Sequence, residues 1–352
     1  MLINNIQNLE KKFLFTLIGT GPACLTVALE LEEKKIPCLI LEASGFERTE
    51  ESQNFYRGYN GGEGSYLAEL HNPRSRCFGG TTERWSGLSK PLDSYDFKYW
   101  PIEKKDLNPY FDKAAKILEL ESKFISDINL NDNIKQSEYE YSNQQSHKTT
   151  PKPVRFGDKY KERVINSKYI HLSTFSTVLE IIGNEKNTTH LLVKNTKTTN
   201  DFLLPVNNVI LGCGGYENAR ALLWSQKQAK KNFLKDLQIG TYFNVHPGWP
   251  IARAIARMDN VENNLSKSLK SPMWGGTYIL SPSQKFINEK RIGNISIRIS
   301  EYNHRNSYKE LLREILCVAP EYGKKIAELS GKKIVCSHLK IFGSAEQEPI
   351  ET

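Results

Sequence analysis

The chain has 352 residues, of which 39% are hydrophobic and 25% charged, and this length predicts two domains because a single core seldom exceeds roughly 250 to 300 residues. Its formal net charge of +8 does not indicate nucleic-acid binding, since the lysines are interleaved with glutamates and form no basic stripe. No apolar run approaches the roughly 18 residues of a membrane span, and the N-terminus lacks the apolar region of a signal peptide, so we expect a cytoplasmic protein.

The first predicted unit is a strand, turn, helix and strand in the stretch FLFTLIGTGPACLTVALELEEKKIPCLILEASG, residues 13–45. Gly19 and Gly21 form a glycine turn at which a backbone and a helix N-terminus can approach a pyrophosphate. Glu42 ends the second strand, where an acid accepts hydrogen bonds from an adenosine ribose and disfavours a 2′-phosphate. The third glycine of this fingerprint is replaced by Cys24. The pattern predicts a bound dinucleotide but does not choose between NAD and FAD. We predict that the residues next to these positions also contact the nucleotide, namely Pro22, Ala23 and Ala43.

Further elements follow in chain order. A glycine-rich passage over residues 56–87 has too little periodicity for regular elements, and long loops of this kind are usually functional. The stretch DLNPYFDKAAKILEL predicts an amphipathic helix with Asp106 as its N-cap, and residues 121–153 are polar enough to indicate an excursion or a lid. Strand-like runs follow in YIHLSTFSTVLEII, HLLVKN and NNVILGCGG, with a helix from Glu217. Beyond Gly240, short alternating strands predict an antiparallel sheet with helices.

Three stretches in this order resemble the glucose-methanol-choline (GMC) family of FAD-dependent oxidoreductases: residues 13–45, RSRCFGGTTERWSGLSKPLD and NNVILGCGGYENARALL. The second resembles the GG(S/T)(S/T)xxW motif of bacterial members, and the resemblance also includes IGTYFNVHP and the final EQEP. It implies an α/β, Rossmann-like FAD-binding domain and an α+β substrate domain built on an antiparallel sheet. We expect the first over residues 1–120 and 154–245 and the second over residues 246–352, with residues 121–153 as the excursion or lid.

The resemblance also implies a set of cofactor-binding residues. Those that match are Arg76, Gly79, Gly80, Thr81, Thr82, Trp85, Val178, Cys213, Gly214 and Gly215. Small residues suit the loop at residues 79–82, where a side chain would collide with a flavin that approaches the backbone. Some sugar-oxidising relatives attach FAD to a histidine before the tryptophan, whereas Arg84 stands there in this chain. We therefore expect non-covalent FAD.

Several residues have a second interpretation. Trp85 fits a core anchor as well as a cofactor neighbour, Arg74 fits a solvated surface charge, and His246 fits a structural role better than a catalytic one. The histidines show no HxH or HExxH spacing, and the six cysteines form no CxxC pair, so we predict no metal site. The cysteines are typical of small buried residues in a reducing compartment.

The resemblance implies oxidation of a CH–OH group in an alcohol, sugar or polyol, with hydride transfer to flavin N5 and a base that accepts the hydroxyl proton. Relatives place that base, a histidine, after the EQxP region, whereas this chain ends at Thr352. We therefore assign no catalytic residue. We expect that the chain is a truncated remnant, that a second polypeptide completes it, or that the residues that follow are absent from this sequence. The alternatives are a non-catalytic flavin-binding remnant, one part of a split oxidoreductase, and an NAD-dependent enzyme. The last leaves the turns at Gly79 and Gly214 unexplained. The alcohol and the electron acceptor stay unassigned.

Overall fold

The computed structural model describes residues 1–3, 6–9, 13–58, 70–87, 89, 91–92, 94–120, 139–141, 153–229, 233–241, 248–257, 277–301 and 336–345. The chain divides into two units, the first containing Met1–Trp85 and Val154–Phe243 and the second Ser86–Pro153 and Asn244–Ile350. The domain boundaries expected from the sequence, and the excursion or lid at residues 121–153, stay a prediction.

The elements alternate between strands and helices in the first part of the chain and are mostly strands in the last part. The strands are β1 (Phe15–Ile18), β2 (Cys38–Leu41), β3 (Tyr139–Tyr141), β4 (Ile170–Ser173), β5 (Ser176–Gly183), β6 (Thr188–Asn195), β7 (Asp201–Pro205), β8 (Asn208–Leu211), β9 (Gly248–Arg257), β10 (Thr277–Pro282), β11 (Ile295–Glu301) and β12 (Cys336–Ala345). The α-helices are α1 (Pro22–Glu33), α2 (Glu50–Asn54), α3 (Lys104–Leu107), α4 (Phe111–Ile117), α5 (Phe156–Asn166), α6 (Gly215–Gln228) and α7 (Gln284–Lys290). Short 3₁₀ helices cover Ile6–Asn8, Gly80–Glu83, Ser94–Tyr99 and Asn108–Tyr110.

A four-stranded parallel sheet forms the centre of the first unit, with the order β4-β2-β1-β8. The strands are in simple register, so that Ile18 aligns with Leu41 on one side and with Leu211 on the other. Consequently the carboxyl ends of β1, β2 and β8 lie side by side. The strands are almost continuously apolar because helices cover parallel sheets on their faces, and Leu17 and Ile40 are fully buried.

A three-stranded antiparallel sheet, β5-β6-β7, completes the first unit. Leu191 and Val193 of β6 are fully buried and pack in one core cluster with Leu39 and Leu41 of the parallel sheet. Each such side chain contributes roughly 1.5 to 3 kcal/mol by burial. This packing holds the start of β5 against the carboxyl end of β2, where Ser176 N donates a 2.8 Å hydrogen bond to Glu42 O.

The second unit contains a five-stranded antiparallel sheet with the order β3-β10-β11-β12-β9, as the alternating stretches beyond Gly240 predict. The amphipathic helix expected from Asp106 is interrupted: α3 and α4 are separated by a 3₁₀ turn that contains Pro109. Asp106 lies within α3 and is not its N-cap; its carboxylate accepts a 2.9 Å hydrogen bond from the N–H of the N-cap residue Glu103. Within the residues that the structure describes, no helix is both long enough and apolar enough to cross a bilayer.

Candidate functional site

Three glycine-containing turns touch one another at the carboxyl edge of the parallel sheet. Gly19 has φ +98°, and a Cβ atom there would lie 2.9 Å from Gly212 O. A Cβ atom on Gly80, which has φ +60°, would lie 3.0 Å from Gly21 Cα. Only glycine permits this combination of left-handed backbone and close backbone approach. The predicted turns at residues 19–21 and 79–80 and the turn after β8 are therefore parts of one structure.

Cys24 occupies the position of the missing third glycine without loosening the packing of α1 on the sheet. It is fully buried, and its Sγ donates weakly to Ile18 O at 3.6 Å. The space for its side chain comes from Gly212, where an added Cβ atom would collide with Cys24 Sγ and lie 3.2 Å from Cys24 Cβ. The small residue required at this crossing has moved from the helix to the turn after β8.

The N-terminus of α1 is open to an anionic ligand. Gly21 is the N-cap residue and has no side chain to bond the first N–H groups, while Pro22 occupies the first turn and lacks an N–H. Both Pro22 and Ala23 are exposed. A helix N-terminus of this kind favours a phosphate group because of its unpaired N–H groups and dipole.

Glu42 is buried at the end of β2, with 5% of its surface exposed. Its Oε2 accepts hydrogen bonds from Thr20 N at 3.2 Å and Thr20 Oγ1 at 2.5 Å, and its Oε1 accepts one from Ser44 N at 2.9 Å. Burial raises the pKa of Glu42, while these hydrogen bonds and the charge of Arg76 oppose the rise. The predicted ribose acid therefore also links the glycine turn to the end of β2.

Arg76, whose charge acts on this carboxylate, is buried in a polar network. Its guanidinium donates to Ser52 Oγ at 3.2 Å and to Thr177 Oγ1 at 2.9 Å, and it stacks over the Phe55 ring at 4.5 Å. Burial lowers the pKa of Arg76, and the charge of Glu42 opposes this shift. Ala43 joins the same network, because Thr177 Oγ1 donates to Ala43 O at 3.4 Å. Arg76 thus fixes the start of β5 and α2 around the end of β2.

The 3₁₀ helix Gly80–Glu83 is held against the N-terminus of α5. Thr82 Oγ1 donates to Gly79 O at 2.7 Å and accepts from Phe156 N at 3.3 Å. Glu83 Oε1 accepts from Gly157 N at 2.8 Å, and burial raises the pKa of Glu83. These contacts give the loop at residues 79–82 one defined shape.

Thr81 and Trp85 differ in their surroundings. Thr81 is exposed, although its Oγ1 accepts a long, 3.4 Å hydrogen bond from Ser75 N. Trp85 Nε1 donates to Val154 O at 2.8 Å, which is the contact of an anchor. Arg74 is not a solvated surface charge, because its Nη1 lies 2.6 Å from Glu217 Oε1 and only 15% of its side chain is exposed.

The turn after β8 is open on its outer side. Gly214 has φ +85°, and a Cβ atom on Gly214 or Gly215 would meet nothing within 4 Å among the described residues. Cys213 N donates to Asn218 Oδ1 at 2.9 Å, and burial raises the pKa of the Cys213 thiol to about 12. Val178 is partly buried against the core cluster, next to a register shift in β5.

Most predicted residues thus lie around one edge of the first unit. Gln53 also belongs to the site, because its Oε1 accepts a 2.8 Å hydrogen bond from Arg76 N. The residues that the sequence did not single out are therefore Thr20, Ser44, Gln53, Glu83 and Thr177. The position of Thr20 between two glycines was a usable signal, because a hydroxyl in that turn needs a partner. Ser44 bonds Glu42, two residues away, whereas Gln53, Glu83 and Thr177 bond residues far along the chain. His246 and the EQEP stretch lie outside the described residues. Within the parts of the chain that the structure describes, no three His, Cys, Asp or Glu side chains could hold a metal ion.

Comparisons with known proteins give similarity at the level of structure only. No protein-family model matches the chain, and no curated protein matches its sequence. Among solved structures, pyridoxine 4-oxidase from Mesorbium loti is similar with a TM-score of 0.52 and 12% sequence identity, over 94% of this chain and 70% of that chain. An FAD-dependent oxidoreductase from Chaetomium thermophilum has a TM-score of 0.47 and 13% identity, over 94% of this chain and 74% of that chain. The likeness to pyridoxine 4-oxidase shows a shared fold.

Proposed function

We propose that the first unit binds FAD non-covalently and that the protein is an FAD-dependent oxidoreductase of the GMC type. Its substrate would be a small alcohol, sugar or polyol, oxidised at a CH–OH group. The observation that carries this proposal is the meeting of three glycine turns beside the buried carboxylate of Glu42, at the carboxyl ends of β1, β2 and β8. In open α/β sheets, ligands bind outside the carboxyl ends of the strands.

The described residues fit the diphosphate and the adenosine half of a dinucleotide. The open N-terminus of α1 at Gly21, Pro22 and Ala23 would hold the diphosphate. Glu42 Oε1 would accept a ribose hydroxyl, and a carboxylate at this position disfavours a 2′-phosphate. In our proposal the adenine would contact the backbone at Val178.

Two features favour FAD over NAD. The loop at Gly79–Thr82 packs directly on the first glycine turn, and no described residue comes within 4 Å of a Cβ atom on Gly214 or Gly215. An NAD-dependent enzyme that uses only the first turn leaves both features without a role. In our proposal the flavin-containing dinucleotide contacts the loop at Gly79–Thr82 and occupies the space beside Gly214 and Gly215. The fold shared with pyridoxine 4-oxidase, which by its name is an oxidase, supports an oxidoreductase.

When bound, the flavin would accept a hydride from the substrate carbon at N5. The protein's own part is to orient the cofactor and substrate and to accept the hydroxyl proton. We assign no base to the described residues, and the physiological electron acceptor is open in this proposal.

The binding half of the proposal is tested by comparing Glu42→Gln with Glu47→Gln. Both residues follow β2, but Glu42 is buried and Glu47 is exposed, so the second variant is a matched control. Loss of a hydrogen bond to a charged group should weaken FAD binding about 10- to 100-fold in Glu42→Gln, with no change in Glu47→Gln. Binding is measured by equilibrium dialysis of FAD, with NAD in parallel. Equal FAD affinity in the two variants, or binding of NAD in place of FAD, would contradict the proposal.

The catalytic half requires a separate assay. The FAD-loaded chain is incubated with a panel of alcohols, sugars and polyols and an artificial electron acceptor, and acceptor reduction is followed. We expect reduction that depends on a CH–OH donor. Retained flavin without turnover on any donor would support the non-catalytic flavin-binding alternative instead.

A further inference from the structure

Thr20 connects three parts of the candidate site: the turn at residues 19–21, the acid Glu42 and the loop that begins at Gly79. It lies between Gly19 and Gly21 and is 1% exposed. Its N–H and its hydroxyl both donate to Oε2 of Glu42, at 3.2 Å and 2.5 Å. Its carbonyl oxygen accepts a 3.2 Å hydrogen bond from Gly79 N. One side chain in the glycine turn therefore bonds the acid at the end of β2, and its backbone bonds the loop at residue 79.

The bonds to Glu42 divide the two carboxylate oxygens into different roles. A carboxylate oxygen offers about two acceptor positions. Thr20 occupies both positions on Oε2, whereas Oε1 accepts one bond, from Ser44 N at 2.9 Å. Among the described residues, one acceptor position is left on Oε1. Because Glu42 is 5% exposed, its carboxylate cannot rotate away to water without losing these bonds.

We infer that Thr20 is a positioning residue, which fixes Glu42 so that Oε1 alone accepts a ribose hydroxyl of the nucleotide. Ribose recognition would then depend on a hydroxyl group at position 20 as well as on the acid at position 42. This inference rests on the proposed function, because it assigns the nucleotide to the same edge of the sheet.

The same bonds give Thr20 an electrostatic effect that does not require a nucleotide. The titratable groups that face Glu42 are the guanidinium of Arg76, the phenol of Tyr56 and the thiols of Cys24, Cys77 and Cys213. Burial raises the pKa of each thiol to about 12 and also raises the pKa of Tyr56, so these groups stay neutral near pH 7. Arg76 is therefore the facing group that carries a charge, and Thr20 supplies hydrogen bonds that stabilise the charged carboxylate.

The sign of the pH effect follows from linkage. A carboxyl group with a pKa above its unfolded value of about 4.3 binds more protons in the folded state, so stability falls as pH rises through that window. Removal of the Thr20 hydroxyl raises the pKa of Glu42 further and extends this window upward. Replacement of Thr20 by valine should therefore destabilise the chain more at about pH 8 than at about pH 5.

The experiment compares Thr20→Val, which keeps the shape and removes the hydroxyl, with Thr20→Ser, which keeps the hydroxyl. We expect Thr20→Val to weaken FAD binding about 5- to 30-fold, and Thr20→Ser to stay within about threefold of the wild type. Binding is measured by FAD titration, and stability by urea unfolding at the two pH values. Equal FAD affinity of Thr20→Val and wild type, or equal weakening in both variants, would overturn the inference.

The pH arm separates this inference from the proposed function. If the wild-type chain binds no FAD, the proposed function fails, and the stability data alone decide on Thr20. A loss of stability in Thr20→Val that is the same at both pH values would show that Thr20 only packs and does not hold the charged carboxylate. A larger loss at the higher pH that Thr20→Ser does not share would support its positioning of Glu42.

Discussion

The crossing of α1 and β8 gives a sharp prediction about packing. A methyl group introduced by Gly212→Ala would collide with Cys24 Sγ and lie 3.2 Å from Cys24 Cβ and 3.4 Å from its N atom. Cys24 is fully buried, so its side chain cannot move out to solvent. Overpacking of this kind costs about 1 to 3 kcal/mol. We expect the free energy of opening of the parallel sheet to fall by that amount in Gly212→Ala.

A double-mutant cycle with Cys24→Ala tests the cause. Cys24→Ala alone should cost roughly 1 kcal/mol, but it removes the sulfur that the new methyl group meets. The double variant should therefore be more stable than Gly212→Ala, with a coupling energy of about 0.5 to 3 kcal/mol. Because the chain has two units, the local opening free energy is best measured by hydrogen exchange of the peptides that contain β1 and β8. Gly215→Ala is the control, because its added Cβ atom meets no described residue within 4 Å. Gly240→Ala is not suitable, because Gly240 has φ +83°. Additive effects of the two substitutions would refute this account of how Cys24 replaces the third glycine.

Three further predictions concern the rest of the site. Gly215→Ala should leave the thermal unfolding temperature unchanged, because the added Cβ atom meets none of the described residues within 4 Å. It should nevertheless reduce FAD retention on desalting if the cofactor occupies that space. Unaltered retention would place the cofactor elsewhere. Arg74→Gln and Glu217→Gln should each destabilise the first unit by about 1 to 3 kcal/mol. Thermal unfolding of the two single variants and the double variant should give a coupling energy above about 0.5 kcal/mol. A coupling energy near zero would show that the ion pair is only a surface contact. Burial raises the thiol pKa values of Cys38 and Cys77 to about 12. Both thiols should therefore resist alkylation by iodoacetamide at about pH 8 until the chain unfolds. Rapid labelling of the native chain, measured by peptide mass mapping, would contradict their burial.

The sequence predicted the elements whose signals are local. The strand, turn and helix around Gly19 and Gly21 follow from an apolar run, two glycines and helical spacing, and the structure has β1, α1 and β2 there. The antiparallel sheet beyond Gly240 was expected from alternation alone. These features depend on neighbouring residues, so one sequence is enough to reveal them.

The sequence did not reveal where the chain changes from one sheet to another. The stretch YIHLSTFSTVLEII is one strand-like run, but β4 belongs to the parallel sheet and β5 to the antiparallel one. The change occurs at Phe175, which has φ +56° and whose ring packs where a Cβ atom on Gly45 would lie. The short strand β7 was also missed, because it has five residues and only one of them, Leu204, is buried. Both depend on contacts with distant parts of the chain.

The candidate site shows the same limit. Glu42 was found from its distance to the glycine turn, but its bonds to Thr20 and its closeness to Arg76 required the folded chain. How the helix packs with Cys24 in place of the third glycine also required the folded chain, in which Gly212 provides the space. Nothing in a local pattern links Cys24 to Gly212, because the two meet only through the parallel pairing of β1 and β8.

The most direct test of the central claim is the visible absorbance spectrum of the purified chain after FAD is added and free FAD is removed by desalting. The proposal predicts a retained yellow flavin band that is released on denaturation, as expected for a non-covalent cofactor. A folded chain that retains no flavin, with the Glu42→Gln variant indistinguishable from it, would contradict the assignment of this edge of the sheet to FAD.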